Sequence, residues 1–467
     1  MSEEVSQETA PQQETKGASS RRLPVGVEVL LVFLVGLGAA FVKDVLVLAV
    51  LGGGSMFLVY RHRERPADVV GIVFSMHCMT PFLRRIYDLN HGYHPGSMIL
   101  ISSYCAYPVL GLTLVRSLHK FKRLEFLPLV LGAFGVAWAY TVGVLKSGIV
   151  PASIQLLQYS SGPFVFGYLT LNAAKLEVPR VLRWLLALGI IEAIYGIYQW
   201  ISPPPWDVAW FMGVGAIVAG GIPEPFKMRT FGTLNIVSPY SYFLAYCLVL
   251  TVEFSWVVPA TVLMVAALAT TQARSAWGTV LVGWTASLIM VRLKEKSALF
   301  SGIAASVLLL ITLALPFADR LEAFASRINS IRNIQGDSSF QARTKLMEVF
   351  FESGVLDPPE GTGMGATGAA AQASAKAVPG LDNGFLQTIW IYGWIGSSFY
   401  LGGFFVALFA AVRKIGQMDR IHAKFAGVSL ALFVANIFES SFDDMKGAML
   451  WAAVGIAAGL SNRKEGA

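Results

Sequence analysis

Arginine is the residue type through which this chain is best equipped to do chemistry. Arg229 in FKMRTFGTLN, Arg274 in TTQARSAWG and Arg343 in SSFQARTKLM each stand out as candidates. A guanidinium presents a planar fork of donors and keeps its charge at any working pH, which suits phosphate recognition in partly dry surroundings. Arg274 carries the strongest implication, because the polar connection that holds it is only a few residues long. Its cation must therefore sit against protein rather than in bulk water. A charge held there is costly unless partnered, so a functional role is the default reading. For each arginine, and for Arg320 and Arg332, the plainer alternative is a side chain reaching up to lipid head groups.

Asp382-Asn383 in GLDNGFLQ forms a second constellation, immediately before an apolar run that begins at Phe385. A carboxylate at that edge can accept a proton from a substrate hydroxyl, as a general base must. Asp and Asn are also favoured helix caps, and the two roles can coexist. Glu192 lies inside an apolar run, so it must be paired or face a cavity: either a translocation carboxylate or a buried partner for a polar group on a neighbouring helix. Asp88, His91 and His94 offer two imidazoles and a carboxylate to a metal, although a short loop more often leaves them solvated. Glu439, Asp443 and Asp444 cluster in one turn, where solvation suffices. The glycines of residues 361–368 are preceded by no strand and followed by no Gly-Lys-Ser or Gly-Lys-Thr, which excludes a nucleotide loop.

The elements that must position these groups are membrane helices. The 467-residue chain is 55% hydrophobic and 14% charged, with a mean hydropathy of +0.59. Soluble domains carry about 25% charge. Apolar runs fall near 23–41, 44–60, 69–83, 97–115, 127–145, 152–171, 181–201, 237–254, 256–272, 276–291, 299–317, 385–412, 424–440 and 447–461. This patterning predicts an all-α integral membrane protein with about 12–14 transmembrane helices, each needing about 20 apolar residues. The three cysteines lie in or against apolar runs, so neither a disulfide framework nor a zinc site is indicated.

Charge orients the chain. A polar tail, residues 1–20, cannot repay its ordering entropy and reads as a disordered cytoplasmic segment rather than a signal peptide. With that tail inside, the basic groups at 61–65, 116–123, 175–183, 292–296, 413–424 and 463–464 all face the cytosol, which accounts for the +7 net charge without nucleic acid. Arg84-Arg85 is the exception. Both termini are then cytoplasmic, and the chain divides into a bundle at 21–317 of about eleven spans with an outer loop at 202–236, a large outer loop at 318–384, and about three C-terminal spans within 385–467. Long loops in a compact membrane protein are usually functional. In the larger one, Phe317, Leu321, Phe324, Ile328 and Ile331 recur at helical spacing opposite Arg320, Arg327 and Arg332, predicting an amphipathic helix on the outer leaflet. A second helix is expected from Ser338 or Ser339 to about Gly354, followed by a mobile flap or linker over 361–380.

RTFGTLNIVSPY at 229–240, TQARSAWG at 271–278, QARTKLMEVFFESGVLDPPEGTGMG at 341–365 and LDNGFLQTIWIYGWIG at 381–396 occur in the order and spacing of a known group. Over its second half the chain resembles the O-antigen ligase and Wzy-type polysaccharide polymerase superfamily; the first half matches only as generic spans. Two positions depart from the ligase pattern. The usual histidine before the Asn is Asp382 here, and the tryptophan common four residues after the loop arginine is Met347.

The resemblance implies a glycosyltransferase of the bacterial inner membrane, working at the periplasmic face on an undecaprenyl-pyrophosphate-linked oligosaccharide, with no cofactor, nucleotide sugar or metal. It implies that Arg229 and Arg274 bind the pyrophosphate and stabilise its departure, and that Asp382 activates or orients the acceptor hydroxyl. Arg343, Asn383, Asn235 and Arg327 would contact substrate. The flippase and chain-length regulator of the same pathway would be partners. The missing histidine favours a polymerase of exopolysaccharide or O-antigen repeat units over a ligase that moves a finished glycan to a lipid or protein acceptor. A secondary transporter or flippase using Glu192 is the rival of another class, although no internal repeat supports it.

Overall fold

The structure, a computed structural model, describes residues 23–215, 220–252, 258–314, 338–352, 354, 357–367 and 381–463. Every apolar run of the sequence is met by a helix. The first seven runs become α1 (Val25–Ala40), α2 (Asp44–Arg61), α3 (Pro66–His91), a 3₁₀ turn at Met98–Tyr104 leading into α4 (Ala106–Val115), α5 (Leu127–Ser147), α6 (Ile149–Leu171) and α7 (Val178–Ile201). A short helix, α8 (Pro205–Gly213), follows. The next four runs become α9 (Val237–Thr251), α10 (Val258–Thr270), α11 (Arg274–Met290) and α12 (Leu293–Ala314). Then come the loop helix α13 (Ser338–Glu352) and the closing helices α14 (Gly384–Val412), α15 (Arg420–Ala435) and α16 (Asp444–Arg463).

The protein is an all-α integral membrane protein. Among the described residues six helices are long and apolar enough to cross a bilayer, α2, α3, the 98–115 segment, α5 with its lead-in turn, α7 and α14; α1, α9 and α10 are shorter apolar helices. Local sequence sets where they begin. Proline occupies the first turn of α3, α5 and α7, where its missing N–H is not needed. Asp419 caps α15 by accepting from the His422 N–H at 2.9 Å. Glycine lets helices close on one another: a side chain on Gly135 would strike the Gly396 carbonyl of α14, and one on Gly283 would strike Val249 of α9. In lipid, such close packing takes the place of a hydrophobic driving force between helices.

Arg84 and Arg85 escape the charge rule because neither meets membrane or water. Helix α3 runs eight residues past its predicted end and carries both arginines into the protein interior. Arg84 Nε donates to Asp88 at 2.7 Å, and Arg85 Nη1 pairs with Asp207 of α8 at 2.8 Å. The guanidinium of Arg84 also lies 5.5 Å from the ring centre of Trp210. These are internal ion pairs, so they say nothing about which side of the membrane they occupy. Asp88 is thereby committed to an arginine, while the His91 ring stacks on Tyr87 at 4.3 Å.

The expected flap is in part an internal element. Residues 361–367 thread between α5, α6 and α14, with Met364 and Thr367 buried. The Thr362 and Gly363 amides donate to the Trp390 and Ile391 carbonyls at 2.9 Å each, and the Met364 amide donates to Ala139 of α5 at 2.9 Å. Helix α14 is broken at Gly393, φ 65 and ψ −179, where the incoming chain takes the carbonyls that a continuous helix would use itself. Irregular backbone is tolerated at membrane depth only when protein satisfies it in this way. Small residues here permit close threading rather than motion. Residues 368–380, and the amphipathic helix expected over 317–332, lie outside the described residues.

Candidate functional site

A cavity of about 330 Å³ opens where the 229–236 segment meets the start of α11. Arg229, Asn235, Gln272, Arg274 and Glu439 supply its charged and amide groups, and Trp210, Phe231 and Tyr242 are among its aromatic walls. Two helices begin at its rim. Ile236 precedes α9 and Ala273 precedes α11, and neither helix has a side-chain cap on its first amides. Ile236, Val237 and Ser238 at the first start, and Gln272, Ala273, Arg274 and Ser275 at the second, all line the cavity. The positive end of a helix dipole favours an anion. Two such ends stand beside two guanidiniums at this cavity, with Glu439 as its one lining carboxylate among the described residues. Gln272 stands at φ 53, a conformation disfavoured for a residue with a Cβ, and the tight turn it makes brings Arg274 to the cavity edge.

The 229–236 segment has no regular structure, and buried side chains hold it. The Arg229 amide donates to Gly220 at 2.8 Å, and its Nε donates to the Thr271 carbonyl beside α11 at 2.9 Å. Thr230 and Thr270 hydroxyls meet at 2.6 Å. Glu192, 1% exposed on α7, accepts from the Thr233 amide at 2.9 Å and from the Thr233 hydroxyl. Of the two readings of Glu192, the buried partner is the one the geometry supports. Gly232, at φ 58, is needed because a Cβ there would run into Tyr240 and the Glu192 carboxylate.

The predicted residues divide by position. Arg229, Arg274 and Asn235 come together in the cavity, and the Asn235 Oδ1 is buried with no hydrogen-bond partner among the described residues. Asp382 is exposed and does not line the cavity. Asn383 is the cap of α14: its Oδ1 accepts from the Leu386 amide at 3.0 Å, while its Nδ2 donates to the Ile437 carbonyl at 3.1 Å. The capping role considered for this pair thus falls to Asn383 alone, and its side chain is committed to structure. Gly384 donates to Asn436 at 2.7 Å, so the Asp382 turn is stapled to the turn that carries Glu439. Arg343 lies on α13, two turns before Phe350, whose ring packs edge-on against Trp390 at 5.5 Å. Arg327 lies outside the described residues.

The 439–446 turn is more than solvated charge. Glu439 lines the cavity and accepts from Lys446 Nζ at 2.8 Å, and the same ammonium reaches Ser238 at 3.3 Å. Asp444 accepts from the Tyr104 hydroxyl at 2.6 Å and faces His77 Nδ1 at 3.4 Å. The only sequence signal was an acid and a lysine seven residues apart, which could put them on one side of a turn but not name the cavity.

Burial pushes the Asp443 carboxyl up to about 6, with Lys446 opposing and Asp444 and Glu439 reinforcing the rise. Because the folded value lies above the ordinary 3.8, the native state binds the extra proton, and stability falls as pH rises from about 4 to 6. Asp443→Asn should therefore raise the unfolding temperature at pH 7.5 and change it little near pH 4, the difference being on the order of 1 kcal/mol per pH unit of the shift. Thermal unfolding in detergent at both pH values checks this, and an equal change at both would refute it.

Residues 259–401 match the model of a protein family described as O-antigen ligase. None of the curated proteins matches the chain. The matched stretch is less than half of the chain and contains Arg274, Arg343 and Asp382, whereas Arg229 and Asn235 lie before it and join the same site only through the fold. From α10 to the middle of α14 the chain is therefore similar to the O-antigen ligase family, consistent with the superfamily its motifs resemble, and that stretch lies within an all-α integral membrane protein.

Proposed function

We propose that the protein is a polysaccharide polymerase of the bacterial inner membrane, joining undecaprenyl-pyrophosphate-linked repeat units of an exopolysaccharide or O-antigen at the periplasmic face. The observation that carries this reading is the convergence of Arg229, Arg274 and two uncapped helix starts on one cavity. In the reaction, an acceptor hydroxyl attacks the anomeric carbon of the donor sugar. A new glycosidic C–O bond forms as the bond to the pyrophosphate oxygen breaks, and the hydroxyl proton passes to a carboxylate. Charge grows on the departing pyrophosphate, where fixed donors stabilise it most in the transition state. Asp382 is the proposed proton acceptor, and Arg343 would approach from the loop.

The closest alternative is ligase-type transfer of a finished glycan to a lipid or protein, which the description of the matching family favours. The two readings differ in what accumulates. Deleting a polymerase should leave single repeat units on the carrier, whereas deleting a ligase should leave long chains there. Mass spectrometry of carrier-linked glycans from a deletion strain separates them, and long carrier-linked chains would defeat the polymerase reading. Transport is less favoured because Glu192, its candidate coupling group, is held by Thr233.

A further inference from the structure

Behind the cavity wall, four groups form a closed ring. Gln199 of α7 accepts through one oxygen from both the Phe231 amide at 2.8 Å and the Gly232 amide at 3.1 Å. Its Nε2 donates to Asp207 Oδ2 at 2.6 Å. Asp207 Oδ1 pairs with Arg85 Nη1 at 2.8 Å, and Arg85 Nη2 returns to the Gly232 carbonyl at 2.9 Å. Arg85, Gln199 and Asp207 are all 0% exposed.

The ring sets the orientation of each member. A carboxylate only accepts, so the Gln199 amide nitrogen must face Asp207, which leaves the amide oxygen for the two backbone N–H groups. Gly232 is thus gripped at both its amide and its carbonyl, by an oxygen from α7 and a cation from α3. Arg229 lies only two residues before the first of the gripped amides. A buried ion pair is weak evidence of stability, since packed apolar residues often do as well; its clearest attested use is fixing one geometry. Here the geometry fixed is that of the strand of coil that presents Arg229.

We propose that Gln199, Asp207 and Arg85 are positioning residues that hold the 229–235 segment so that Arg229 and Arg274 engage the same anion. This rests on the reading of the cavity as a pyrophosphate site. The ring touches no ligand itself and acts through Arg229.

The test is a double-mutant cycle on the full-length protein in detergent, with inorganic pyrophosphate as the probe. Gln199→Met should weaken pyrophosphate binding by about tenfold or more, yet cause no further loss in an Arg229→Ala background, because coupled residues do not add. The exchange Gln199→Glu with Asp207→Asn keeps one carboxylate and one amide in the ring and should recover most of the affinity. A purely structural ring would weaken binding equally in both backgrounds, and that result overturns the proposal. So does wild-type affinity in Gln199→Met, or failure of both variants to fold. If wild-type protein shows no pyrophosphate binding that depends on Arg229 and Arg274, the cavity reading itself is at fault, an outcome distinct from normal wild-type binding with an unaffected Gln199→Met.

Discussion

Arg274→Ala should lower glycan transfer by about a hundredfold or more, the scale of loss when one fixed donor to a developing anion is removed. Membrane levels of the protein should hold, because Arg274 is the first residue of α11, half-buried at the cavity rim rather than inside the helix packing. Lysine should not rescue it. An ammonium keeps the charge but loses the planar fork, and the distance from the α11 backbone to the ligand would be spanned by a flexible stem. Arg274→Lys is therefore expected to fall closer to the alanine variant than to wild type. Polymer in a complemented deletion strain, normalised to protein by immunoblot, measures this. Wild-type polymer from Arg274→Ala would remove the strongest chemical element of the proposal.

The helices were legible in the sequence because each is an unbroken apolar run, and the bilayer requires that length. Their ends were less so, for reasons outside local pattern. Helix α3 continues through Arg84 and Arg85 because Asp88 and Asp207 neutralise them; Asp207 is over a hundred residues away in sequence. The break in α14 at Gly393 depends on Thr362 and Gly363 supplying donors from another part of the chain. Arg229, Arg274 and Asn235 could be singled out by type and setting. Gln199 could not, since a lone glutamine has no signature until its two amide partners and Asp207 surround it. Glu439 enters the cavity only because the turn after α15 is tied to the turn before α14.

Asp382→Asn should also abolish transfer, with a loss of roughly a hundredfold or more expected for a general base. The fold makes this a cleaner test than the sequence allowed. Had Asp382 capped α14, its loss would have mixed chemistry with helix stability; the cap is Asn383, which the substitution leaves untouched. Asn at 382 also preserves the shape of the side chain and one acceptor oxygen, so unfolding is not an expected source of inactivity. Asp382 is exposed beside the turn that bears Glu439, which leaves its carboxylate open to the sugar of a carrier-linked acceptor in the proposed reaction. If Asp382→Asn makes normal product, the proton must go elsewhere, and Glu439, the carboxylate that lines the cavity, becomes the group to replace. Glu439→Gln alone is the poorer first experiment, since it removes the carboxylate paired with Lys446 and leaves that mostly buried cation to Ser238 and Asp443. The paired change Glu439→Gln with Lys446→Met removes both charges, and a loss of activity that persists in the pair would assign the base to Glu439 rather than Asp382.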